Sequence, residues 1–197
     1  MRRIAIPVIL GVFFIGFVFS AVRMENLRAN GTDILLPLAP VDPRALLMGD
    51  YMVLDFAVNT AIMRELQQKY GYSRHSRGDD AGNVPASGLA VVVPTIPKDR
   101  RGNEIADPQS AYPAMDFVRV DDGRPLAPGE LLLAFKVRGR QIITASTAFY
   151  FQEGDAEDYE RAQFGRLKLD KNGKTLLIAL CDGEGRDIIP ERLLRKE

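Results

Sequence analysis

The sequence lacks tryptophan and has only one cysteine and one histidine among its 197 residues. The lone Cys181 has no partner for an internal disulfide bond, which excludes a disulfide-stabilised scaffold. The lone His75 cannot complete a zinc site of the usual Cys and His kind, and its polar surroundings favour a solvated surface position. The sequence therefore predicts no metal site.

An excess of charge of either sign is also missing. Lys and Arg together number 26, Asp and Glu together number 26, and the net charge is zero. A neutral chain offers no field that would attract a nucleic acid, so we expect no nucleic-acid partner. Neither a Walker A motif nor a dinucleotide-binding glycine motif occurs, and we predict no cofactor.

The acidic residues occur in short groups separated by predicted strands. Such groups beside glycine are typical of turns and helix caps rather than of paired catalytic carboxylates. The loop 182–187 lacks the alternating ligand spacing of a calcium-binding EF-hand, and we predict a turn there. The other groups are Asp79-Asp80, Asp121-Asp122 and Asp155 with Glu157 and Asp158.

The N-terminal segment is a long apolar run. Arg2 and Arg3 precede residues 4–22, which carry no charge. At 1.5 Å per residue, a helix over this run spans about 28 Å, close to the hydrocarbon thickness of a bilayer. This length favours an uncleaved transmembrane anchor over a cleaved signal peptide, whose apolar stretch is shorter. We predict an anchor over residues 1–28, a polar linker over 29–40 and one domain over 41–197.

The charges that flank the anchor predict its orientation. Arg2 and Arg3 lie on one side, and Arg23 and Arg28 lie on the other. The terminal amine adds a positive charge to the first side, which favours a cytoplasmic N-terminus. The domain is then expected in the periplasm of a bacterial inner membrane, or outside the cell if there is no outer membrane.

Residues 37–56 combine turn signals with an alternating strand. Asp42-Pro43 and Gly49-Asp50 are typical of turns. Residues 51–58 predict a strand that buries every second side chain, and a short helix capped by Asn59 or Thr60 is expected to follow up to Tyr70. The side chains on the buried face of the strand are Met52, Leu54, Phe56 and Val58.

The octapeptide at 49–56, Gly-Asp-Tyr-Met-Val-Leu-Asp-Phe, resembles the signature of the GDYXXLXY protein family. Phe56 stands where the family name has Tyr, so the shape of the aromatic side chain is kept without its hydroxyl group. The segments 41–44 and 149–160 also resemble the family, and we expect the similarity to extend from Pro37 to the C-terminus. The resemblance implies a membrane-anchored bacterial domain, similar to proteins encoded near polytopic membrane proteins.

The remaining sequence predicts mainly β-strands. Residues 89–93 form an apolar run typical of a strand buried on both faces. Residues 131–137 and 141–147 predict one hairpin. Residues 167–169 and 175–180 predict another, with Asn172-Gly173 in a type I′ turn. A second short helix is expected over 155–163, capped by Asp155. The predicted fold class is a β-rich α+β domain, mainly antiparallel, with two short helices.

One enzymatic alternative is a membrane-anchored hydrolase. An anchor followed by a Gly-Asp-Tyr segment, and by residues 128–136, resembles type I signal peptidases, which use a Ser nucleophile and a Lys base. Lys136 is the candidate base, provided that burial lowers its pKa. No serine occurs in residues 37–48, where the nucleophile is expected, so a catalytically inactive relative of that fold is the other form of this alternative.

The favoured hypothesis is a non-catalytic accessory or assembly subunit that binds a polytopic integral-membrane partner. The candidate contact residues lie about 20 residues beyond the anchor, within reach of a partner's outer loops. In the alternative interpretation they cap turns and pack in the core. These residues are Asp42, Arg44, Gly49, Asp50 and Tyr51.

The anchor prediction is tested by placing charges at its centre. Each arginine at the middle of a span opposes insertion by about 2.5–3.5 kcal/mol, so Phe14→Arg with Phe17→Arg is expected to abolish stable insertion. Carbonate extraction should release this variant and leave the wild type and a Phe14→Leu, Phe17→Leu control in the membrane. Equal retention of all three proteins would contradict the prediction.

Overall fold

The computed structural model describes residues 2–39, 51–71, 84–96, 112–139 and 141–194. In this part of the chain a long helix precedes a β-rich α+β domain, which confirms the predicted fold class. The helices are Arg2–Asn30 (α1), Ala57–Tyr70 (α2), Ala156–Tyr159 (α3) and Glu191–Leu194 (α4). The strands are Thr32–Pro37 (β1), Tyr51–Val53 (β2), Ser87–Thr95 (β3), Ala114–Val120 (β4), Leu131–Arg138 (β5), Gln141–Ile143 (β6), Ala148–Tyr150 (β7), Phe164–Leu169 (β8) and Thr175–Cys181 (β9).

Helix α1 has 29 residues, and its side chains from Ile9 to Asn26 are exposed. The mean hydropathy reaches 1.5 in the segment Ile9–Asn30. Among the described residues, α1 is the one helix long and apolar enough to cross a membrane, a property that N-terminal signal sequences share. The exposed apolar surface fits a helix that lies in lipid rather than in a protein core.

The end of α1 is attached directly to the sheet. Only Gly31 separates Asn30 from the first residue of β1. The Gly31 N–H donates to the Leu27 carbonyl at 2.9 Å, and Leu27 itself is buried. A Cβ atom at position 31 would lie 2.5 Å from the Leu27 carbonyl oxygen, so the close approach requires glycine. Helix and sheet are thus joined without a flexible connection.

Seven strands form one sheet in the order β6-β5-β3-β4-β1-β8-β9. Neighbouring strands are antiparallel except for β1 and β4, which run parallel with Leu35 opposite Ala114. Strand β1 therefore connects a four-stranded group to the hairpin of β8 and β9. The mainly antiparallel arrangement agrees with the prediction.

The sheet curls so that its two ends meet. The Ala134 N–H on β5 donates to the Gly173 carbonyl in the β8–β9 turn at 2.8 Å. The Thr175 hydroxyl, at the start of β9, donates to the Thr144 carbonyl just after β6 at 2.7 Å. Helix α2 fills the concave side with one apolar face, whose buried side chains are Val58, Ile62, Met63 and Leu66.

The predicted linker over residues 29–40 is wrong where the structure describes it, because residues 32–37 form β1. Ile34 and Leu36 face the main core, and Leu35 faces a second cluster with Phe164 and Cys181 on the other side of the sheet. All three apolar side chains of β1 are completely buried. The three apolar residues 34–36 are too few to show strand periodicity in the sequence. In the structure, their burial on both faces of the sheet makes β1 a central strand.

Ion pairs reinforce the contact between β1 and β8. The Asp33 carboxylate accepts from the Lys168 ammonium at 2.6 Å and from the Arg166 guanidinium at 3.2 Å. Arg166 also donates to Asp187, and this hydrogen bond is the main cause of its raised pKa. Because these groups are only partly exposed, their interactions are less screened than those of a surface pair.

Three local predictions need correction. The strand predicted over 51–58 ends at Val53, and α2 begins at Ala57, before Asn59 or Thr60. The helix predicted over 155–163 is a single turn. The hairpin predicted around Asn172-Gly173 is confirmed, but its turn is not type I′, because among the described non-glycine residues none has a positive φ angle. Instead, the Asp170 carboxylate accepts from the backbone N–H groups of Asn172 and Lys174.

The role of β1 as a central strand leads to a stability prediction. Leu36→Ala is expected to lower the free energy of unfolding by about 2–5 kcal/mol, since it leaves a cavity in the core. Urea denaturation of the detergent-solubilised chain measures this loss. Leu193→Ala, at an exposed leucine, is the matched control and should change stability by less than about 0.5 kcal/mol. Similar effects of the two variants would contradict the central position of β1.

Candidate functional site

The first three described residues of the signature, Tyr51–Val53, form one strand of a small two-stranded ribbon. Strands β2 and β7 pair antiparallel, and Tyr51 lies opposite Tyr150. The two rings are tilted by 36° with their centroids 5.6 Å apart. Because side chains alternate along a strand, Tyr51 and Val53 point away from the core while Met52 points into it. We call β2 and β7 the tyrosine ribbon.

The outer face of the tyrosine ribbon carries exposed apolar surface. Tyr150 is 75% exposed and Val53 is 41% exposed. On the opposite face, Phe149 packs edge-on against Tyr159, with 5.0 Å between the ring centroids. The ribbon thus has one face anchored in the core and one aromatic face directed outward.

The end of the signature is part of the core. Leu54 and Phe56 are buried, and Phe56 is only 1% exposed. The Phe56 ring lies over Gly165 on β8, where an added Cβ atom would approach it to 2.9 Å. Position 56 is therefore set by packing, which explains how phenylalanine can replace the tyrosine of the signature.

Asp55 and the residues around it form a chain of polar contacts. The Asp55 carboxylate accepts from the Phe56 N–H at 2.9 Å and from the Asn59 side-chain amide at 2.8 Å. The buried Asn59 oxygen in turn accepts from the Thr144 hydroxyl at 2.8 Å. The Thr144 carbonyl accepts from Thr175 on β9. This chain ties the signature to α2 and to the place where the curled sheet closes.

Residues 13–180 match the family described as GDYXXLXY protein. The chain belongs to the GDYXXLXY family. No curated protein and no solved structure matches the chain. The expected extent of the similarity, from Pro37 to the C-terminus, needs correction at both ends, because the family match begins inside α1 and ends at Leu180. The matched residues include most of α1, its junction with the sheet and β1.

Four of the predicted contact residues of this GDYXXLXY chain, namely Asp42, Arg44, Gly49 and Asp50, lie outside the described residues. The fifth, Tyr51, is half-buried and lies in the tyrosine ribbon. Tyr150 belongs to the same surface and was missed by the sequence reasoning. In a strand over residues 149–151, Tyr150 points to the opposite face from Phe149 and Phe151, so the sequence could have indicated an outward tyrosine. The pairing of Tyr150 with Tyr51 is not visible in the sequence.

The hydrolase alternative gains no support from Lys136. Its side chain is exposed on β5, so burial does not desolvate the ammonium group. A lysine base requires such desolvation. His75 and the pair Asp79-Asp80 lie outside the described residues.

The described acidic groups are held by arginines and backbone N–H groups. Asp122 accepts from Arg124, and this hydrogen bond lowers the pKa of its carboxyl group. Asp155, predicted as a helix cap, makes no capping bond to α3. It is buried and accepts from the Arg192 guanidinium at 2.8 Å, which secures the C-terminal segment. The described loop 182–186 is a turn in which Asp182 accepts from the Glu184 and Arg186 N–H groups.

Cys181 is a buried core residue. Burial raises the pKa of its thiol, and a hydrogen bond to Asp187 at 3.3 Å acts in the same direction. A buried thiol held in its protonated form is a poor nucleophile. Cys181 therefore has a packing role.

The polar chain of Asn59 leads to a prediction. Asn59→Ala leaves the buried Thr144 hydroxyl without its acceptor and should lower the free energy of unfolding by about 1–3 kcal/mol. Urea denaturation followed by circular dichroism measures the loss. Gln68→Ala removes an exposed amide from the same helix and should have little effect. The prediction fails if both substitutions destabilise the protein equally.

Proposed function

We propose that the chain is a single-pass, non-catalytic accessory or assembly subunit of the bacterial inner membrane. Helix α1 crosses the bilayer with its N-terminus in the cytoplasm, and the domain is periplasmic. The domain binds a polytopic integral-membrane partner. The observation that carries this proposal is the one-residue junction between α1 and β1.

The junction determines how the domain can move. A flexible tether gives a domain a long reach, which suits an enzyme that acts on many substrates. A subunit of a membrane complex instead requires a defined position above the bilayer. Here Gly31 is the whole connection: its N–H donates to the Leu27 carbonyl of α1, and its carbonyl accepts from the Lys168 ammonium on β8. A domain in this arrangement presents the same surface to a neighbouring protein in the membrane.

The tyrosine ribbon supplies a suitable contact surface. Exposed tyrosines on a fixed backbone are typical of binding hot spots, because the ring buries a large area and loses little conformational entropy. The ribbon lies beyond the end of β1, where Leu38 forms an isolated antiparallel β-bridge with Phe56. At 3.3 Å per residue, this bridge is about 20 Å from Gly31 along the strand, a distance that outer loops of a partner can reach.

The experiment is a mild-detergent pull-down from native membranes. We expect the wild type to retain a stoichiometric polytopic protein. Tyr150→Ser with Val53→Ser should reduce the recovered partner about tenfold or more, since it removes the exposed apolar face of the ribbon. Asp50→Ala and Arg44→Ala test the contact residues predicted from the sequence, and thermal unfolding verifies that every variant is folded.

A matched control separates the ribbon from general surface effects. Tyr70→Ser with Val118→Ser removes the same two side-chain types from exposed positions on α2 and β4. This control should recover the partner as the wild type does. Recovery of the wild-type chain alone would overturn the proposal, and an equal loss in both double variants would exclude the ribbon as the contact surface.

A further inference from the structure

A cleft opens where α1 meets the domain. Its volume is about 560 Å³, within the usual size of small-molecule sites. One wall is the last two turns of α1, and the other wall consists of residues near 126–132 and 169–172. We call this space the junction cleft. Leu126, on the domain side, is 42% exposed and gives the cleft an apolar rim.

A second groove on α1 continues the junction cleft toward the apolar run. Arg23, Asn26 and Asn30 line both. The second groove is lined by α1 alone, includes Glu25 and extends to Val22 and Phe19. The apolar run ends at Val22, so Arg23 marks the level at which a bilayer changes from hydrocarbon to headgroups. The combined groove is apolar below this level and polar above it, as a phospholipid is.

The acidic residues of the junction cleft are engaged within the domain. The Glu130 carboxylate accepts from the Ala127 N–H at 2.9 Å and from the Arg119 guanidinium at 3.3 Å. The Asp170 carboxylate accepts from the N–H groups of Asn172 and Lys174, both at 2.8 Å. Glu130 is thereby paired with Arg119, and within the described residues neither Glu130 nor Asp170 forms an ion pair with Arg23 or Lys171.

Two cations, Arg23 and Lys171, line the junction cleft from its two walls. Within the described part of the chain, neither Arg23 nor Lys171 forms an ion pair with a carboxylate. The nearby Glu25 on α1 lies 3.9 Å from Arg28 instead. One cation comes from the helix and one from the β8–β9 turn, so an anion in the cleft can interact with both elements.

We propose that the junction cleft binds an anionic phospholipid. The phosphate group lies with Arg23 and Lys171, and an acyl chain follows the groove past Val22 and Phe19. The charge favours an anionic over a zwitterionic headgroup, and the apolar continuation favours a lipid over free phosphate. This inference rests on the proposed membrane placement of α1, and it does not depend on the protein partner.

The test is calorimetric titration of the full-length chain in neutral-detergent micelles. Short-chain phosphatidylglycerol is the probe, and short-chain phosphatidylcholine and inorganic phosphate are the comparison ligands. We expect phosphatidylglycerol to bind most tightly. Arg23→Gln with Lys171→Gln should weaken its binding about tenfold or more, because each cation near an anionic headgroup contributes substantially to affinity.

The chain offers a close control for total charge. Arg28→Gln with Lys174→Gln removes the same residue types from the same helix end and the same turn, at positions that do not line the junction cleft. It should bind as the wild type does, and both double variants should keep the wild-type thermal unfolding. Equal weakening in both, no weakening in either, or equal affinity for phosphate and phosphatidylglycerol would overturn the inference.

The two proposals fail separately. Loss of lipid binding with the partner still recovered in the pull-down would remove the lipid site alone. Lipid binding by a chain that recovers no partner would support the junction cleft and remove the accessory-subunit proposal.

Discussion

The pairing of β1 with both of its neighbours holds the domain together. Strands β6, β5, β3 and β4 lie on one side of β1, and β8 and β9 lie on the other. The main core draws side chains from both groups, so neither group can bury its apolar face if β1 is displaced. Burial of Ile34, Leu35 and Leu36 therefore stabilises both groups of strands and not only the contacts that these three side chains make.

Polar contacts give this apolar framework a single arrangement. The bond between Ala134 and Gly173 and the chain from Asp55 through Asn59 to Thr175 act where the curled sheet closes. Hydrophobic burial tolerates small shifts of register, whereas a buried hydroxyl or amide without its partner is costly. The signature thus serves two purposes, since Leu54 and Phe56 complete the core while Asp55 aligns α2.

The sequence predicted the features that depend on local patterns. Alternation correctly placed Met52, Leu54, Phe56 and Val58 on one buried face, although Val58 lies in a helix. The β8–β9 hairpin was predicted because its strands adjoin in sequence. Strand β1 was missed because its partners are distant: Leu35 pairs with Arg166 on β8 and with Ala114 on β4. For the same reason, neither the contact of Tyr51 with Tyr150 nor the junction cleft was foreseen.

The direct connection between helix and sheet also has a mechanical consequence. A transmembrane helix changes its tilt when the hydrocarbon thickness around it changes. Where α1 spans a bilayer as proposed, its one-residue connection to β1 through Gly31 passes a change of helix tilt on to the domain. At the bridge between Leu38 and Phe56, about 20 Å from this pivot, a tilt change of roughly 10° corresponds to a displacement of about 3–4 Å. In the proposed membrane placement, the hydrocarbon thickness would therefore influence the position of the domain surface.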